Sequence, residues 1–445
     1  MKLRDYQSTA LTRLRSSYQT GHRAPCLVLP TGGGKTLMAA AVATRAVVLG
    51  TKMLFVADRE TLIDQTVDKF RLAGLENMRV IQADRDDGSP DAPVTIAMAQ
   101  TLRMPRWEGK LPDFDLIMWD ECHGVVAATY DRTLKRWPKA RLLGLTATPT
   151  RGDNKPLEVF DDLVIGATVK ELTDLGYLAP CHVLRPPDGV LGPTDLALDP
   201  VDAYQKHAGN RRAGVFCNTK KQAATYQEAF LAAGIPCGLV TSDTPNRADE
   251  LAKFAADEYH VLVSVGCLTQ GWDDPGCAVA IIARKPKHVG LWLQICGRVL
   301  RPAPNKSEAL IIDLCGAFWD HGPPDLDREY RLDGKAISTV VKDRLSQCRA
   351  CGSCFLAGPR VCPYCSAEIE IRERALPRNR NVGVSADGTP NPARAWVVRM
   401  QSKHEGTCRK CARWFPRGTP VLWVKGKGAM HQKCPSTSFF QELPP

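Results

Sequence analysis

Pro30-Thr-Gly-Gly-Gly-Lys-Thr36 follows the apolar run Cys26–Pro30 and opens the amphipathic stretch Lys35–Leu49. An apolar strand that leads through glycines into a helix is the context in which a loop binds phosphate. The glycines let backbone N–H groups turn inward, and the helix N-terminus adds positive potential. Lys35 can then reach the β- and γ-phosphates of a nucleotide, and the Thr36 hydroxyl can bind Mg²⁺. The stretch predicts a P-loop whose residues are Thr31, Gly32, Gly33, Gly34, Lys35 and Thr36.

Strand-like and helix-like segments alternate along most of the chain. In the first part, buried strands are predicted at Cys26–Pro30, Met53–Ala57, Val94–Ala99, Asp115–Trp119 and Leu142–Leu145, and helices at Lys35–Leu49 and Glu60–Leu72. In the second part, strands are predicted at Ala213–Cys217, Cys237–Val240, Val261–Val265, Val279–Ala283 and Leu310–Asp313, and helices at Lys220–Ala233 and Val289–Leu300. This alternation favours parallel sheets flanked by helices. We therefore predict an α/β fold with two such domains in tandem.

A second chemical motif, Asp120-Glu-Cys-His123, ends the predicted strand Asp115–Trp119. A carboxylate at the carboxyl end of a strand can hold Mg²⁺ beside a P-loop in the same sheet, and we predict this role for Asp120. Glu121 would then orient or deprotonate the attacking water. The two motifs together predict hydrolysis of a nucleoside triphosphate.

The composition is that of a globular protein with a basic surface. Of 445 residues, 44% are hydrophobic and 24% are charged, which suits about three domains of ~150 residues. The net charge of +11 favours anionic partners, nucleic acid first. The N-terminal residues lack the apolar segment of a signal peptide, and no apolar run approaches the ~20 residues that span a bilayer. The sequence therefore predicts a cytoplasmic protein without a membrane partner.

Four motifs, in this order, resemble those of superfamily 2 helicases of the DEAD/DEAH-box (DECH) type. They are Pro30–Thr36, Asp120–His123, Thr146-Ala-Thr148 and Gln294-x-x-Gly-Arg298-x-x-Arg301. The resemblance spans about residues 1–320 and implies two RecA-like domains, at 1–167 and 168–322, with ATP and Mg²⁺ bound between them. Within the superfamily the motor is similar to the bacterial RadD group of DNA-repair helicase-like proteins, through Leu143–Pro149, Ser242–Pro245 and Leu291–Pro302.

The resemblance implies a role for each matching residue of the first domain. Adenine recognition is expected from Arg4 and Gln7. Contacts to the backbone of a nucleic-acid strand are expected from Arg59, Gln100 and Thr101. Coupling of hydrolysis to strand movement is expected from His123, Thr146 and Thr148, together with Gln294 of the second domain.

The second domain would complete the nucleotide site. Gly271 and Asp273 resemble positions that touch both the nucleotide and the strand. Arg298 and Arg301 lie about one turn apart at the end of the predicted helix Val289–Leu300, so both can face one direction. The resemblance implies that they are arginine fingers, which add positive charge at the γ-phosphate in the transition state. Because fingers and P-loop lie on different domains, hydrolysis would require closure of the cleft.

The 17 cysteines are unevenly distributed. Those before residue 320 lie singly, mostly in apolar stretches typical of a core, whereas those after it form Cys-x-x-Cys pairs, which in a cytoplasmic chain indicate metal binding. Cys348-x2-Cys351 and Cys362-x2-Cys365 predict a zinc ribbon within residues 340–370. The pair Cys351-x2-Cys354 also fits the spacing. We prefer Cys348 with Cys351, because Gly352 follows Cys351 as in the usual knuckle.

A second metal module is predicted at residues 404–440, after a linker at 371–403 that is rich in Arg, Pro, Asn and Gly. Cys408, Cys411, His431 and Cys434 would form a closed, and therefore structural, zinc site. Residues 408–434 carry seven Lys or Arg and no Asp or Glu, with Trp414, Phe415 and Trp423 interleaved. This pattern suits phosphates and stacked bases, and packing of a small core explains the aromatic residues equally well.

These observations predict an ATP-dependent DNA helicase or translocase, active in DNA repair or recombination, with two structural Zn²⁺ ions. The sequence is also compatible with two alternatives. One is an RNA-directed ATPase, because the motor motifs grip the backbone and do not identify the sugar. The other is an ATP-gated clamp that recruits repair proteins through its zinc-binding tail.

Overall fold

The computed structural model describes residues 3–124, 135–153, 155–186, 196–268, 272–333 and 345–369, and short strands between 397 and 431. The chain divides into two compact units, Met1–Ile369 and Glu370–Pro445. Among the described residues, no helix is long and apolar enough to cross a membrane.

The first sheet is built from the N-terminal part of the first unit. Its helices are α1 (Asp5–Gln19), α2 (Lys35–Val48), α3 (Glu60–Leu72) and α4 (Ala99–Leu102). Its strands are β1 (Pro25–Val28), β2 (Met53–Ala57), β3 (Met78–Gln82), β4 (Arg85–Asp87), β5 (Val94–Met98), β6 (Leu116–Trp119), β7 (Arg141–Thr146) and β8 (Asp162–Ile165). The strand order is β4-β3-β5-β2-β6-β7-β1-β8. Paired strands run parallel except β3 and β4.

The second sheet follows the same plan. Its helices are α5 (Val169–Asp174), α6 (Pro200–His207), α7 (Lys220–Ala232), α8 (Arg247–Ala255), α9 (Val289–Val299) and α10 (Ala317–His321). Its strands are β9 (Cys181–Leu184), β10 (Ala213–Phe216), β11 (Cys237–Val240), β12 (Val261–Ser264), β13 (Val279–Ile282), β14 (Ala309–Asp313), β15 (Leu345–Gln347) and β16 (Ser353–Leu356). The order is β11-β12-β10-β13-β14-β9-β16-β15. Strands β11 to β9 run parallel, whereas β16 and β15 are antiparallel to their neighbours.

Central strands such as β2 and β13 are buried along their whole length. Helices cover both faces of a parallel sheet, so such strands need apolar side chains at every position. This requirement explains why continuous apolar runs in the sequence predict these strands. The predicted α/β fold is confirmed. Every predicted strand and helix is present, with ends within two residues of the prediction.

The zinc-ribbon segment joins the second sheet rather than standing alone. Strand β16 pairs with β9 through Ser353–Leu184 and Cys354–Val183, and the compact first unit extends to Ile369. No sequence pattern predicts this pairing, because β9 and β16 are short and lack an apolar run.

The second unit contains short antiparallel strands. They are β17 (Val397–Gln401), β18 (Gly406–Thr407), β19 (Trp414–Phe415), β20 (Pro420–Val424) and β21 (Gly428–His431). Strands β17, β20 and β21 form one sheet, and β18 pairs with β19.

Candidate active site

The P-loop lies at the carboxyl edge of the first sheet, between β1 and α2. Gly32 and Gly34 have φ angles of 87° and 82°, a left-handed conformation that favours glycine. The carbonyl of Gly33 accepts hydrogen bonds from the Tyr6 hydroxyl at 2.9 Å and from Nε2 of Gln7 at 3.3 Å. A Cβ atom on Gly34 would lie 2.5 Å from that same nitrogen. The N-terminal helix therefore fixes the loop directly, and Gly34 makes the close approach possible.

The predicted adenine-reading residues lie beside this loop. The backbone N–H of Arg4 donates to Oε1 of Gln7 at 3.0 Å. The Arg4 guanidinium carbon lies 4.2 Å from the ring centroid of Tyr177, and the Tyr6 ring is 5.2 Å from the same ring. A cation and two aromatic faces thus meet next to the P-loop, where a base can stack. The motif at residues 3–7 predicts a base-binding role for Arg4 and Gln7, whereas no sequence motif includes Tyr177.

Lys35 and the Asp120–Glu121 pair face each other across the end of the sheet. Nζ of Lys35 lies 3.5 Å from Oε1 of Glu121, and both side chains are largely buried. Glu121 has a φ angle of 46°, which is rare outside glycine and is found where a site requires it. Asp120 and Glu121 both follow the end of β6 at Trp119. Asp120 is 6% exposed.

The two carboxylates differ in their electrostatic surroundings. Burial, followed by the neighbouring Glu121, raises the pKa of Asp120 to about 7. Burial also acts to raise the pKa of Glu121, but Lys35, His123 and Arg298 outweigh it and lower that pKa. A buried carboxyl group with a raised pKa, such as that of Asp120, is suited to binding a divalent cation, because the charge of the cation favours the ionised form. Thr36 and Asp120 are the residues that would hold Mg²⁺. The lowered pKa of Glu121 favours its ionised form, as the predicted general base requires.

His123 connects the two domains through a chain of hydrogen bonds. Nε2 of Gln294, on α9, lies 3.1 Å from Nε2 of His123. An amide nitrogen can only donate, so His123 Nε2 accepts and its proton is on Nδ1. Nδ1 lies 2.8 Å from Oγ1 of Thr146, which in turn donates to the carbonyl of Thr148 at 2.9 Å. Burial lowers the pKa of His123, which keeps this neutral tautomer.

The two predicted fingers lie on the far side of the same cleft. Arg298 donates to the carbonyl of Trp272 at 2.5 Å, and burial lowers its pKa to about 10 against the opposing effect of Glu121. Arg301 forms an ion pair with Asp273, and burial lowers its pKa to about 10. Both remain cations at neutral pH. Gly271, the other predicted nucleotide contact of this segment, lies outside the described residues.

The cleft between the domains is closed. A Cβ atom on Gly32 would lie 3.5 Å from Cγ of Arg301, and one on Gly297 would lie 2.5 Å from Cβ of Thr31. Helix α9 therefore touches the P-loop without an intervening layer. The closed cleft brings the charged residues of the P-loop domain and the arginines of the second domain to the same place, as phosphoryl transfer requires.

We expect Gly297→Ala to slow ATP hydrolysis by hindering closure of the cleft, without lowering the stability of the fold. Alanine favours a helix over glycine by about 1 kcal/mol, so the melting temperature should not fall. The added methyl group would meet Thr31 in the closed state, and a displacement of about 1 Å in a catalytic geometry costs on the order of 10²-fold in rate. Steady-state ATP hydrolysis and a thermal melt would be measured together. A variant with wild-type kcat would show that this contact is not needed for hydrolysis.

Of the predicted strand contacts, Arg59 is the best placed. Burial lowers the pKa of Arg59, and the positive charge of Arg247, from the second domain, lowers it further. The Arg247 guanidinium donates to the carbonyl of Cys267 at 2.8 Å. Two like charges brought together from both domains are suited to an anion that spans the cleft. No motif in the sequence identifies Arg247 as part of the site.

Gln100 and Thr101 differ in accessibility. Gln100 is exposed and is free to face a strand. Thr101 is fully buried, and its hydroxyl accepts a hydrogen bond from the Ala83 backbone N–H at 2.9 Å. The structure does not fit the predicted contact for Thr101. The hydroxyl is used to hold the loop after β3.

Comparison with known proteins agrees with these features. Residues 1–151 match the family model described as "Type III restriction enzyme, res subunit", and residues 197–303 match "Helicase conserved C-terminal domain". The chain belongs to the superfamily 2 helicases. It is an ATP-hydrolysing enzyme built from two RecA-like domains.

Relatives of this helicase come from varied sources. A "51.5 kDa protein" of a Lactococcus phage is 28% identical over 78% of each chain. The "putative mitochondrial ATP-dependent helicase irc3" of Schizosaccharomyces pombe is 28% identical over 72% of this chain and 58% of its own length. Among solved structures, a fragment of a putative HsdR subunit of a type I restriction enzyme from Vibrio vulnificus has a TM-score of 0.56 at 22% identity, covering 74% of this chain and 66% of that one. The helicase thus spans little more than half of the yeast relative.

Four cysteines of the helicase lie together at the β15–β16 edge of the second sheet. The Sγ atoms of Cys348, Cys351, Cys362 and Cys365 all lie within 4.8 Å of one another. The pairs Cys348–Cys365 and Cys351–Cys362 are 3.6 and 3.7 Å apart. Tetrahedral Zn–S bonds of about 2.3 Å place ligand atoms ~3.8 Å apart, so the cluster fits a structural zinc ion. Cys354 lies outside the cluster, on β16, where its thiol donates to the Gly352 carbonyl.

We expect Cys362→Ala to release one zinc ion and lower the melting temperature, because the binding free energy of a structural metal is folding free energy. Cys354→Ala is the matched control and should retain the ion. Zinc would be measured by atomic emission on the purified full chain. Loss of zinc in the control, or retention in Cys362→Ala, would show that the ligand set is different.

The second predicted zinc module falls mostly outside the described residues. Cys411 and Cys434 lie outside them. Cys408 is buried, and His431 ends strand β21. The predicted Cys₃His site stays a prediction.

Proposed function

We propose that this helicase is an ATP-dependent DNA translocase that remodels or unwinds DNA in repair or recombination. The observation that carries the proposal is the hydrogen-bond chain Gln294–His123–Thr146–Thr148. It joins the second domain to the segment after β7 through His123, whose Nδ1 lies 3.4 Å from Oε2 of Glu121. Such a chain lets the state of the nucleotide govern how the domains hold a strand.

The residues act in a defined order in this proposal. Lys35 and the P-loop amides bind the β- and γ-phosphates, and Glu121 takes a proton from the attacking water. Arg298 and Arg301 meet the developing charge when the cleft is closed. Loss of the γ-phosphate removes the anion that holds both cations against the P-loop, and the domains separate. Arg59 and Arg247 then move relative to each other, which advances a phosphate backbone.

DNA is favoured as the track by the named relatives. The "DNA 3'-5' translocase XPB2" of Sulfurisphaera tokodaii is 24% identical over 71% of this chain and 81% of its own length. The net charge of +11 supplies the long-range attraction that such a track requires.

A streptavidin-displacement experiment tests the proposal. The full chain would be mixed with single-stranded DNA that carries streptavidin at a biotinylated 3' or 5' end, with ATP or a non-hydrolysable analogue. We expect ATP-dependent displacement from one end. Displacement from RNA rather than DNA would favour the RNA-directed ATPase. ATP-dependent binding without displacement would favour a clamp that recruits repair proteins.

A further inference from the structure

A basic pocket lies at the carboxyl edge of the second sheet, separate from the ATP site. It has a volume of about 990 Å³, and Arg185, Arg284, Lys285 and Trp319 are among its lining residues. The acidic lining residue Asp320 is paired with Lys285, whose Nζ lies 2.8 Å away. The two arginines therefore leave the pocket with a net positive charge.

Two donors in this pocket have no acceptor in the part of the chain that the structure describes. They are Nη1 of Arg185 and Nε of Arg284, both buried. A buried donor without a partner is unfavourable, and charged donors prefer anionic oxygens. Both guanidiniums line the pocket, and each has donor capacity that the described part of the chain does not use, which favours an anion there.

Gly316 brings a cation and an aromatic ring together. A Cβ atom on this residue would lie 2.9 Å from Nη1 of Arg185 and 3.6 Å from Cδ1 of Trp319. The guanidinium and the indole therefore both approach the position that a side chain at Gly316 would occupy. The φ angle of 74° at Gly316 also disfavours other residues. A phosphate and its base could be held side by side here.

The zinc ribbon holds Arg185 in place. The backbone N–H of Arg185 donates to the carbonyl of Gly352 at 2.9 Å, within the first cysteine knuckle. Nε2 of Gln347 donates to the Arg185 carbonyl at 2.8 Å. Arg185 directly follows β9, to which the ribbon strand β16 is paired. The ribbon thus positions one wall of the pocket.

The pocket is close to the contact between the domains. Arg284 and Lys285 belong to the segment between β13 and α9. The same segment ends at His288, whose Nε2 would lie 3.1 Å from a Cβ atom on Gly152 of the first domain. The segment that lines the pocket therefore also contacts the first domain.

We propose that this pocket binds one nucleotide of a single-stranded DNA track, with its phosphate on Arg185 and Arg284 and its base on Trp319. The proposal rests on the proposed function and adds residues outside the helicase motifs. It gives the zinc ribbon a positioning role for strand binding.

The test measures binding of a fluorescein-labelled oligo-dT 30-mer by anisotropy over a series of KCl concentrations. Arg284→Ala should weaken binding about tenfold and reduce the salt slope by about 1. Arg284→Lys should keep the slope, because it keeps the charge. Trp319→Ala should weaken binding about tenfold without changing the slope. The exposed residue Lys206, on α6, provides the matched control as Lys206→Ala, which should bind within about twofold of wild type.

The outcomes separate this inference from the proposed function. ATP hydrolysis without nucleic acid should be unchanged in all four variants, because none contacts the ATP site. Wild-type affinity and slope in both Arg284→Ala and Trp319→Ala would overturn the pocket as part of the track. Equal or tighter binding of oligo-U by wild type would overturn DNA as its ligand. Failure of the wild-type chain to bind either oligonucleotide would overturn the proposed function itself.

Discussion

Replacement of Glu121 by glutamine should lower kcat for ATP hydrolysis by about 10²- to 10⁴-fold, the usual contribution of a general base. Glu121 lies 3.5 Å from Nζ of Lys35, and its surroundings keep it ionised. Glutamine preserves the shape and removes the basic oxygen, so the KM for ATP should change little. Steady-state hydrolysis with a coupled assay gives both constants.

Glu108→Gln provides the matched control, because Glu108 is exposed on the same domain. This variant should hydrolyse ATP like wild type. A Glu121→Gln enzyme within about tenfold of wild-type kcat would assign proton removal to another group.

Arg301→Ala should lower kcat by about 10³- to 10⁵-fold, the effect typical of an arginine finger. The side chain lies against Gly32 of the P-loop but belongs to the opposite domain. It therefore contributes when the cleft is closed and charge develops on the γ-phosphate. ATP binding, which relies on Lys35 and the loop amides, should be retained.

A transition-state mimic distinguishes this role from a structural one. Wild type should bind ADP with aluminium fluoride more tightly than ADP alone, and Arg301→Ala should lose that preference. Lys206→Ala should behave like wild type. Unchanged binding of the mimic by Arg301→Ala would contradict the finger assignment and leave Arg298 as the remaining candidate.

The fold could be predicted where burial forces a simple pattern. Strands β2 and β11 and helix α3 have the predicted ends, because their apolar positions follow the period of the element. Strand β3 was missed because Arg79 interrupts its apolar run. Arg79 is buried through an ion pair with Asp86, with 2.8 Å between Nε and Oδ1. A buried charge with a partner on the next strand cannot be recognised from one segment.

The site could be predicted to the extent that its residues lie in local motifs. Lys35, Asp120 and Glu121 are brought together by one sheet, and Gln294 meets His123 across the cleft. Tyr177 and Arg247 were missed because their place depends on tertiary packing. The prediction for Thr101 does not fit the structure, because a threonine at a strand end can face the solvent or, as here in helix α4, bind a nearby backbone N–H.

The central claim is that hydrolysis in the cleft is coupled to a DNA strand. Steady-state ATP hydrolysis by the purified chain, alone and with single-stranded DNA, duplex DNA and RNA, tests it most directly when Lys35→Ala is measured in parallel. We predict strong stimulation by single-stranded DNA that disappears in Lys35→Ala. Hydrolysis that is indifferent to every nucleic acid would contradict the coupling.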